Sequence, residues 1–246
     1  MNKVKYRVIC YMTLILLIGF VLRGIGSSYA QQETPQPEVK GMTFWGTMVA
    51  GGICMWPIML GSVAMLALTI EHIVTLQIKK VVPQKLVSDI HKNLKENRLE
   101  DAKQLVEGRH NPIARIARAG LEKAGHGREV ITEIVADTGS REVLAMQRKI
   151  SWLSIIAVIE PMLGLLGTVT GMITAFNVIA AGGAGKPALL AKGVSEALIT
   201  TAAGLIIGIP AMVLHFIFKN KVQSITVAIE TFATDFVDLL SGGEKK

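Results

Sequence analysis

The chain has 246 residues, of which 50% are hydrophobic, and a formal net charge of +7. The apolar residues are bunched in long uncharged runs, several of which reach the roughly 20 residues that a helix needs to cross a bilayer. This excludes an ordinary soluble domain and predicts an all-α integral membrane protein. The two cysteines, Cys10 and Cys54, offer neither a metal-ligand spacing nor an intrachain disulfide in the mature chain, and we expect no metal and no cofactor.

Residues 1–30 have the pattern of a signal peptide, with a basic start, an uncharged stretch and small residues before a cleavage point. We expect cleavage after Ala30. Because Arg23 lies inside the cleavage region, an uncleaved anchor is the alternative. Residues 31–45 are rich in proline, glutamate and glutamine, which predicts an extended segment on the outer, periplasmic side of the membrane.

The first span is predicted at residues 46–72, with a kink at Pro57. The following region, residues 73–151, is strongly charged: 15 of the 26 lysines and arginines lie within 73–150. Cytoplasmic loops carry an excess of basic residues, so this region is placed in the cytoplasm.

The charged region is predicted to be helical. Leu86, Ile90 and Leu94 recur at steps of four, which indicates one face of a helix that begins near Gln84. Further helices are expected at residues 99–107 and 112–124, and from Arg128 onward without a break into the membrane.

The second span is predicted at residues 152–180 and the third at residues 194–218. A short glycine-rich outer loop, residues 181–193, joins them. Residues 219–246 are expected to prolong the third helix as a cytoplasmic tail. The mature N-terminus is then outside and the C-terminus inside.

Small residues form a narrow stripe on each of the last two spans. Glycines allow another helix backbone to approach closely in a membrane. The partner helix is either the other span of the same subunit or another copy of the chain. Pro161 and Pro210 are predicted kinks. The stripe glycines are Gly164, Gly167 and Gly171 on the second span, and Gly204 and Gly208 on the third.

Four polar residues stand out in these two spans. Thr168 and Thr201 are hydroxyls that either bond to their own helix backbone or face a polar route. A charge at depth costs at least about 2.5–3.5 kcal/mol, so a carboxyl there normally faces a polar interior or a partner, or carries a proton. For Glu196 the alternative is an acid at a helix N-terminus. For Glu160 it is a neutral carboxyl bonded to backbone that Pro161 frees.

The run from Pro161 to Met172, PMLGLLGTVTGM, followed by GVSEALITTAAGL from Gly193, resembles the ExbB/TolQ/MotA proton-channel family, closest to ExbB. Trp56-Pro57-Ile58 resembles the first span of that family. Asn111-Pro112-Ile113-Ala114 is similar to its cytoplasmic loop. The resemblance covers about residues 45–240.

The resemblance implies a homopentameric ring in the bacterial inner membrane around single-span ExbD/TolR-like subunits that carry an intramembrane aspartate. It further implies that Thr168 and Thr201 face that aspartate, with Glu196 beside the proton path. Proton flow would energise a TonB-like periplasm-spanning protein for outer-membrane transport. No aspartate lies in any predicted span of this chain, so the partner is expected to supply it.

Two residues depart from the family pattern. Glu160 stands where a small residue is usual, and is interpreted as an extra proton site or as the partner of a cation in another subunit. His72 replaces the usual arginine after Ile70-Glu71, which predicts a weaker anchor at the cytoplasmic surface.

Other functions fit the sequence less well. Ser62, Ser151 and Ser154 lack a plausible histidine and aspartate arrangement, so no enzyme is expected. The basic region is balanced by acids and lacks interleaved aromatics, so no nucleic-acid partner is expected. A TolQ-like subunit for envelope maintenance and a passive membrane scaffold are the alternatives.

Overall fold

The computed structural model describes residues 51–180 and 187–242, and every regular element within them is an α-helix. The predicted signal peptide, the outer segment at 31–45 and the first part of the predicted loop at 181–193 lie outside the described residues. In chain order the helices are α1 (Met55–Thr75), α2 (Ile78–Val81), α3 (Gln84–Lys95), α4 (Leu99–Val106), α5 (Pro112–Glu122), α6 (Arg128–Ala180) and α7 (Pro187–Gly242).

Three of these helices, α1, α6 and α7, are long and apolar enough to cross a membrane. Large apolar side chains stay exposed along them, among them Trp56, Leu60 and Leu66 on α1 and Leu165 on α6. Such surfaces are stable against lipid or a neighbouring subunit rather than against water. The chain is therefore a membrane protein with three candidate spans.

Helix α1 begins at Met55, later than the predicted start of the first span at residue 46. A turn precedes it, in which Gly52 has a φ of +64°. Pro57 consequently lies in the first helical turn. An amide in the first turn has no acceptor within its helix, so proline fits there without bending the helix. No kink is therefore expected at Pro57. Pro161 and Pro210 do lie inside α6 and α7.

Helices α6 and α7 form a long antiparallel hairpin. Their 53 and 56 residues correspond to about 80 Å each, well beyond the roughly 30 Å of a bilayer core. The pairing continues far beyond the apolar segments, where Arg128 at the start of α6 forms an ion pair with Asp238 near the end of α7. One continuous helix therefore links each of the last two spans to the charged region.

The charged region has its own apolar core. The predicted stripe of Leu86, Ile90 and Leu94 on α3 is buried, and it shares one core with α5 and the end of α7. Gly120 on α5 lies directly against the Phe236 ring, because a Cβ there would be 2.5 Å from its Cε1 atom. The four short helices are thus held against the hairpin by apolar packing.

His72 at the end of α1 is buried, with 2% of its surface exposed. Its Nδ1 contacts the Leu68 carbonyl oxygen, and its ring lies 5.3 Å from that of Phe218 on α7. His72 therefore packs inward, and the weaker anchor expected from its replacement of arginine stays a prediction. The imidazole is short and mostly apolar, so it packs inward against α7 where a longer arginine would extend to the surface.

The docking of α3 on α7 should weaken in mildly acidic solution. His91 on α3 stacks on Phe232 at 5.8 Å, and its Nε2 atom is buried without a hydrogen-bond partner. Burial lowers the pKa of His91 below its ordinary value of 6.5 and Lys95 lowers it further, whereas Asp235 raises it in part. The unfolded chain then binds the proton more readily, so stability is lost as the pH falls from about 6.5 through the lowered pKa.

Thermal unfolding of wild type and His91→Phe between about pH 5.5 and 7.5 measures this effect. The wild type should lose more stability on acidification, since phenylalanine keeps the stacking without a titrating group. An equal loss in both proteins would exclude His91 as the cause.

Candidate functional site

The apolar parts of α6 and α7 meet along a contact in which the predicted glycines are buried, here called the α6–α7 interface. A Cβ at Gly164 would lie 2.9 Å from the Thr200 carbonyl oxygen, and one at Gly204 would lie 2.5 Å from the Glu160 carbonyl oxygen. Gly208 lies equally close to the Pro161 ring. Real Cβ atoms do not come this near to backbone, so the absence of side chains sets the helix spacing. The same interface contains Gly167 and Gly171.

Thr201 crosses this interface with a hydrogen bond. Its Oγ1 donates to the Gly164 carbonyl oxygen on α6 at 3.0 Å, and the side chain is half-buried. A threonine in a helix usually bonds to its own preceding turn. Thr201 instead places a hydroxyl between two membrane helices, where it can both donate and accept hydrogen bonds.

Thr168 is bonded differently. Its Oγ1 donates to the Leu165 carbonyl oxygen in its own helix at 2.6 Å, and the side chain is half-buried. The hydroxyl oxygen keeps its acceptor capacity toward the exposed side of the subunit. The bond to its own helix that was the alternative for both threonines is therefore present in Thr168, whereas Thr201 bonds across to α6.

Glu196 lies more than two turns inside α7, because that helix begins at Pro187 rather than near Val194. The field of a helix N-terminus acts within the first turn, so the alternative of an N-terminal acid no longer applies. The Glu196 carboxyl touches Gly52, where an added Cβ would overlap Oε1. With its φ of +64°, position 52 requires glycine for both conformation and space.

Glu160 is enclosed by all three candidate spans, with 2% of its surface exposed. Its backbone faces Gly204 on α7, and its carboxyl lies against Gly61 on α1. Oε2 is buried without a hydrogen-bond partner. The structure thus has no bond from this carboxyl to the backbone freed by Pro161, within the part of the chain that it describes.

No group of three histidine, cysteine, aspartate or glutamate side chains that could hold a metal ion is found in residues 51–180 and 187–242. The hydroxyls and carboxyls described above can transfer or hold protons.

Comparison with known proteins identifies the family. The model of the MotA/TolQ/ExbB proton channel family matches residues 108–231, which include α5, α6 and most of α7. The chain belongs to this family. Thr168, Thr201, Glu196 and Glu160 all lie within the matched part.

Relatives of this MotA/TolQ/ExbB family member include both ExbB and TolQ proteins. The biopolymer transport protein ExbB-like 1 of Synechocystis is 34% identical over 187 residues, covering 74% of this chain and 72% of that protein. The biopolymer transport protein ExbB of Xanthomonas campestris is 34% identical over 55% of this chain and 54% of its own length. The Tol-Pal system protein TolQ of Haemophilus influenzae is 31% identical over 41% of this chain and 44% of its own.

One buried hydroxyl of this MotA/TolQ/ExbB family member was not predicted from the sequence. Thr200 is fully buried, packs against Gly167, and donates to the Ala197 carbonyl oxygen at 2.9 Å. Its neighbour Thr201 carries the cross-helix bond. The two adjacent threonines were the sequence feature that could have indicated this difference. Neighbouring side chains on a helix point about 100° apart, so only one of the two can reach Gly164.

The contacts that α1 and the turn before it make with the other two spans of this family member were also not predicted from the sequence. Gly52 and Gly61 each receive a carboxyl from another helix, and the Cys54 Sγ lies 3.8 Å from the Thr170 Oγ1. These positions precede the matched residues 108–231. The polar contacts that α1 and the turn before it make with the hairpin depend on packing across separate chain segments, which no local pattern encodes.

Proposed function

We propose that this chain is the ExbB-like, channel-forming subunit of a proton-driven motor that energises a TonB-type partner for outer-membrane transport. One observation carries the proposal. The Thr201 hydroxyl bonds across to Gly164 between two candidate spans of a chain that belongs to a proton channel family. A hydroxyl between two membrane helices can both donate and accept hydrogen bonds, as the transfer of a proton requires.

The proton path in this proposal uses Thr168, Thr201, Glu196 and Glu160. The threonines solvate or pass a proton without holding it, which suits conduction because an ion must also leave its site. The carboxyls bind the proton more firmly. Each proton that falls through 100 mV releases about 2.3 kcal/mol, and this is the energy available to the motor.

The assembly in this proposal is a homopentamer in the bacterial inner membrane around ExbD/TolR-like single-span partners. Those partners supply the intramembrane aspartate that the spans of this chain lack. The excess of lysine and arginine in residues 73–150 supports a cytoplasmic charged region, with the mature N-terminus in the periplasm.

A TolQ-like role in envelope maintenance is the second candidate. The similarity to the TolQ protein of Haemophilus influenzae supports it, although over a shorter segment than the ExbB matches. Co-purification with a single-span protein that carries an intramembrane aspartate, followed by identification of that protein's partners, separates the two.

The proposal is tested by replacing its proton-path residues one at a time. Thr168→Ala and Glu196→Ala should each abolish potential-driven proton uptake into proteoliposomes that hold the chain with its ExbD-like partner. Removing a positioned proton-transfer group typically costs at least about a hundredfold in rate. The complex should still co-purify, because neither side chain is fully buried in the subunit.

Thr174→Ala is the matched control. Thr174 lies on the same helix, is exposed, and donates to its own backbone at Thr170 as Thr168 does at Leu165. Its loss should leave proton uptake unchanged. Normal uptake in both Thr168→Ala and Glu196→Ala would remove the proton path and leave a passive scaffold.

A further inference from the structure

A single glycine makes room for the Glu160 carboxyl. Gly61 is the only glycine in α1, and a Cβ at this position would overlap the Glu160 Oε1 atom. The carboxyl therefore fills a notch in the α1 surface, here called the Gly61 notch. Any larger residue at position 61 would exclude the carboxyl from it.

No side chain in the described part of the chain could balance a negative charge in the notch. Among the described residues Glu160 has no ion-pair partner within 4.0 Å, and its buried Oε2 has no hydrogen-bond partner. A buried, unpaired carboxylate is strongly disfavoured, so such a group holds its proton instead. The geometry is that of a neutral acid.

The charged groups on the three helices around the notch are far away. On α1 the nearest is Glu71, ten residues from Gly61, or about 15 Å along the helix. On α7 Glu196 is eight residues from Gly204, or about 12 Å, and His215 is eleven residues beyond it on the other side. On α6 the nearest is Lys149, which is eleven residues from Glu160 and pairs with Glu71.

We propose that Glu160 and the Gly61 notch form a proton-binding site between α1 and α6, and that loss of the proton loosens α1 from the hairpin. This inference deepens the proposed function and rests on it for the source of protons. The neutral carboxylic acid gives its proton to water and becomes a carboxylate. A carboxylate is disfavoured in the buried notch, so either water enters between α1 and α6 or the side chain leaves.

This site differs in position from the hydroxyls of the α6–α7 interface. Thr201 bonds across to Gly164, whereas the Glu160 carboxyl points toward Gly61 on a third helix. A hydroxyl passes a proton, while a carboxyl can store one. Proton occupancy at Glu160 would thus be converted into a change in the contact of α1 with its own subunit.

The protonation state is tested by infrared spectroscopy of the purified chain in lipid at about pH 7, where an ordinary glutamate with a pKa of about 4.3 is ionised. The carbonyl stretch of a neutral carboxylic acid should be present in wild type and absent from Glu160→Gln. Identical spectra in this region would overturn the site. The measurement needs neither partner nor proton flux, so its failure is distinguishable from failure of the proposed function.

The notch is tested by a double-mutant cycle on thermal stability. Gly61→Ala should lower the Tm, because the added Cβ displaces the carboxyl. In a Glu160→Ala background the same change should leave the Tm unchanged or raise it, because the space is vacant and alanine favours the helix over glycine. An equal loss in both backgrounds would show that Gly61 does not act through Glu160.

The loosening of α1 is tested with Cys54 as a natural reporter, in a Cys10→Ser background. Cys54 is buried at the start of α1, and its Sγ is near Thr170 on α6. The rate of Cys54 alkylation in wild type relative to Glu160→Gln should rise several-fold from about pH 7 to 9, since glutamine cannot ionise. The ionisation of the thiol itself cancels in this ratio. A ratio that stays at one would overturn the loosening.

Discussion

Thr201→Val should abolish proton-coupled transport and leave the α6–α7 hairpin folded. Valine has nearly the shape of threonine, so only the hydroxyl and its 3.0 Å bond to Gly164 are lost. An interhelical hydrogen bond in a membrane contributes on average about 0.6 kcal/mol, which is too little to unfold the hairpin. Proton uptake into proteoliposomes with the ExbD-like partner should fall about a hundredfold or more, the usual cost of removing one proton-transfer group.

Two control variants accompany Thr201→Val. Thr201→Ser keeps the hydroxyl and should retain most of the proton uptake. Thr174→Val removes an exposed hydroxyl that bonds only to its own helix, at Thr170, and should have no effect on uptake. Thr201→Val with normal uptake and normal assembly would show that the cross-helix hydroxyl serves packing alone.

Gly164→Ala and Gly204→Ala should each destabilise the protein by about 2 kcal/mol, a usual cost of overpacking a tight contact. The added Cβ atoms would lie 2.9 Å from the Thr200 carbonyl oxygen and 2.5 Å from the Glu160 carbonyl oxygen. Both neighbours are backbone atoms, which cannot rotate away as a flexible side chain would. The helices must separate, with loss of the close packing that holds them. Thermal or denaturant unfolding in detergent measures the change.

Gly139→Ala is the control, and it should have the opposite sign. Gly139 is buried on the same helix, but a Cβ there would lie 3.7 Å from the Ile229 Cγ2 atom, which is ordinary contact. The substitution should stabilise the protein by up to about 1 kcal/mol, the helix-propensity gain of alanine over glycine. Destabilisation of equal size at Gly139 and Gly164 would show that close approach at the α6–α7 interface is not the cause.

Much of the fold follows from local chemistry. Runs of about 20 apolar residues predict membrane helices. Leu86, Ile90 and Leu94 recur at every fourth position, which predicts a helix with one buried face. Both patterns report properties of consecutive residues. The helices α3 to α5 and the unbroken course of α6 agree with these expectations.

Helix ends were harder to predict. Helix α7 begins at Pro187 rather than near Val194, and α1 begins at Met55 rather than near residue 46. Hydropathy marks where a segment becomes apolar, whereas a helix extends to wherever its backbone hydrogen bonds end. These shifts changed the interpretation of Glu196 and of Pro57, since both depended on distance from a helix start.

The sequence by itself determined that this is a helical membrane protein of the MotA/TolQ/ExbB family, with glycine-lined spans and polar residues within them. Tertiary structure alone decided which neighbours those residues have. Thr201 rather than Thr200 bonds to α6, and the Glu160 carboxyl lies in a notch of α1. Such contacts join residues distant in the chain, and their geometry depends on the rotation and register of whole helices, which the order of residues along one helix leaves open.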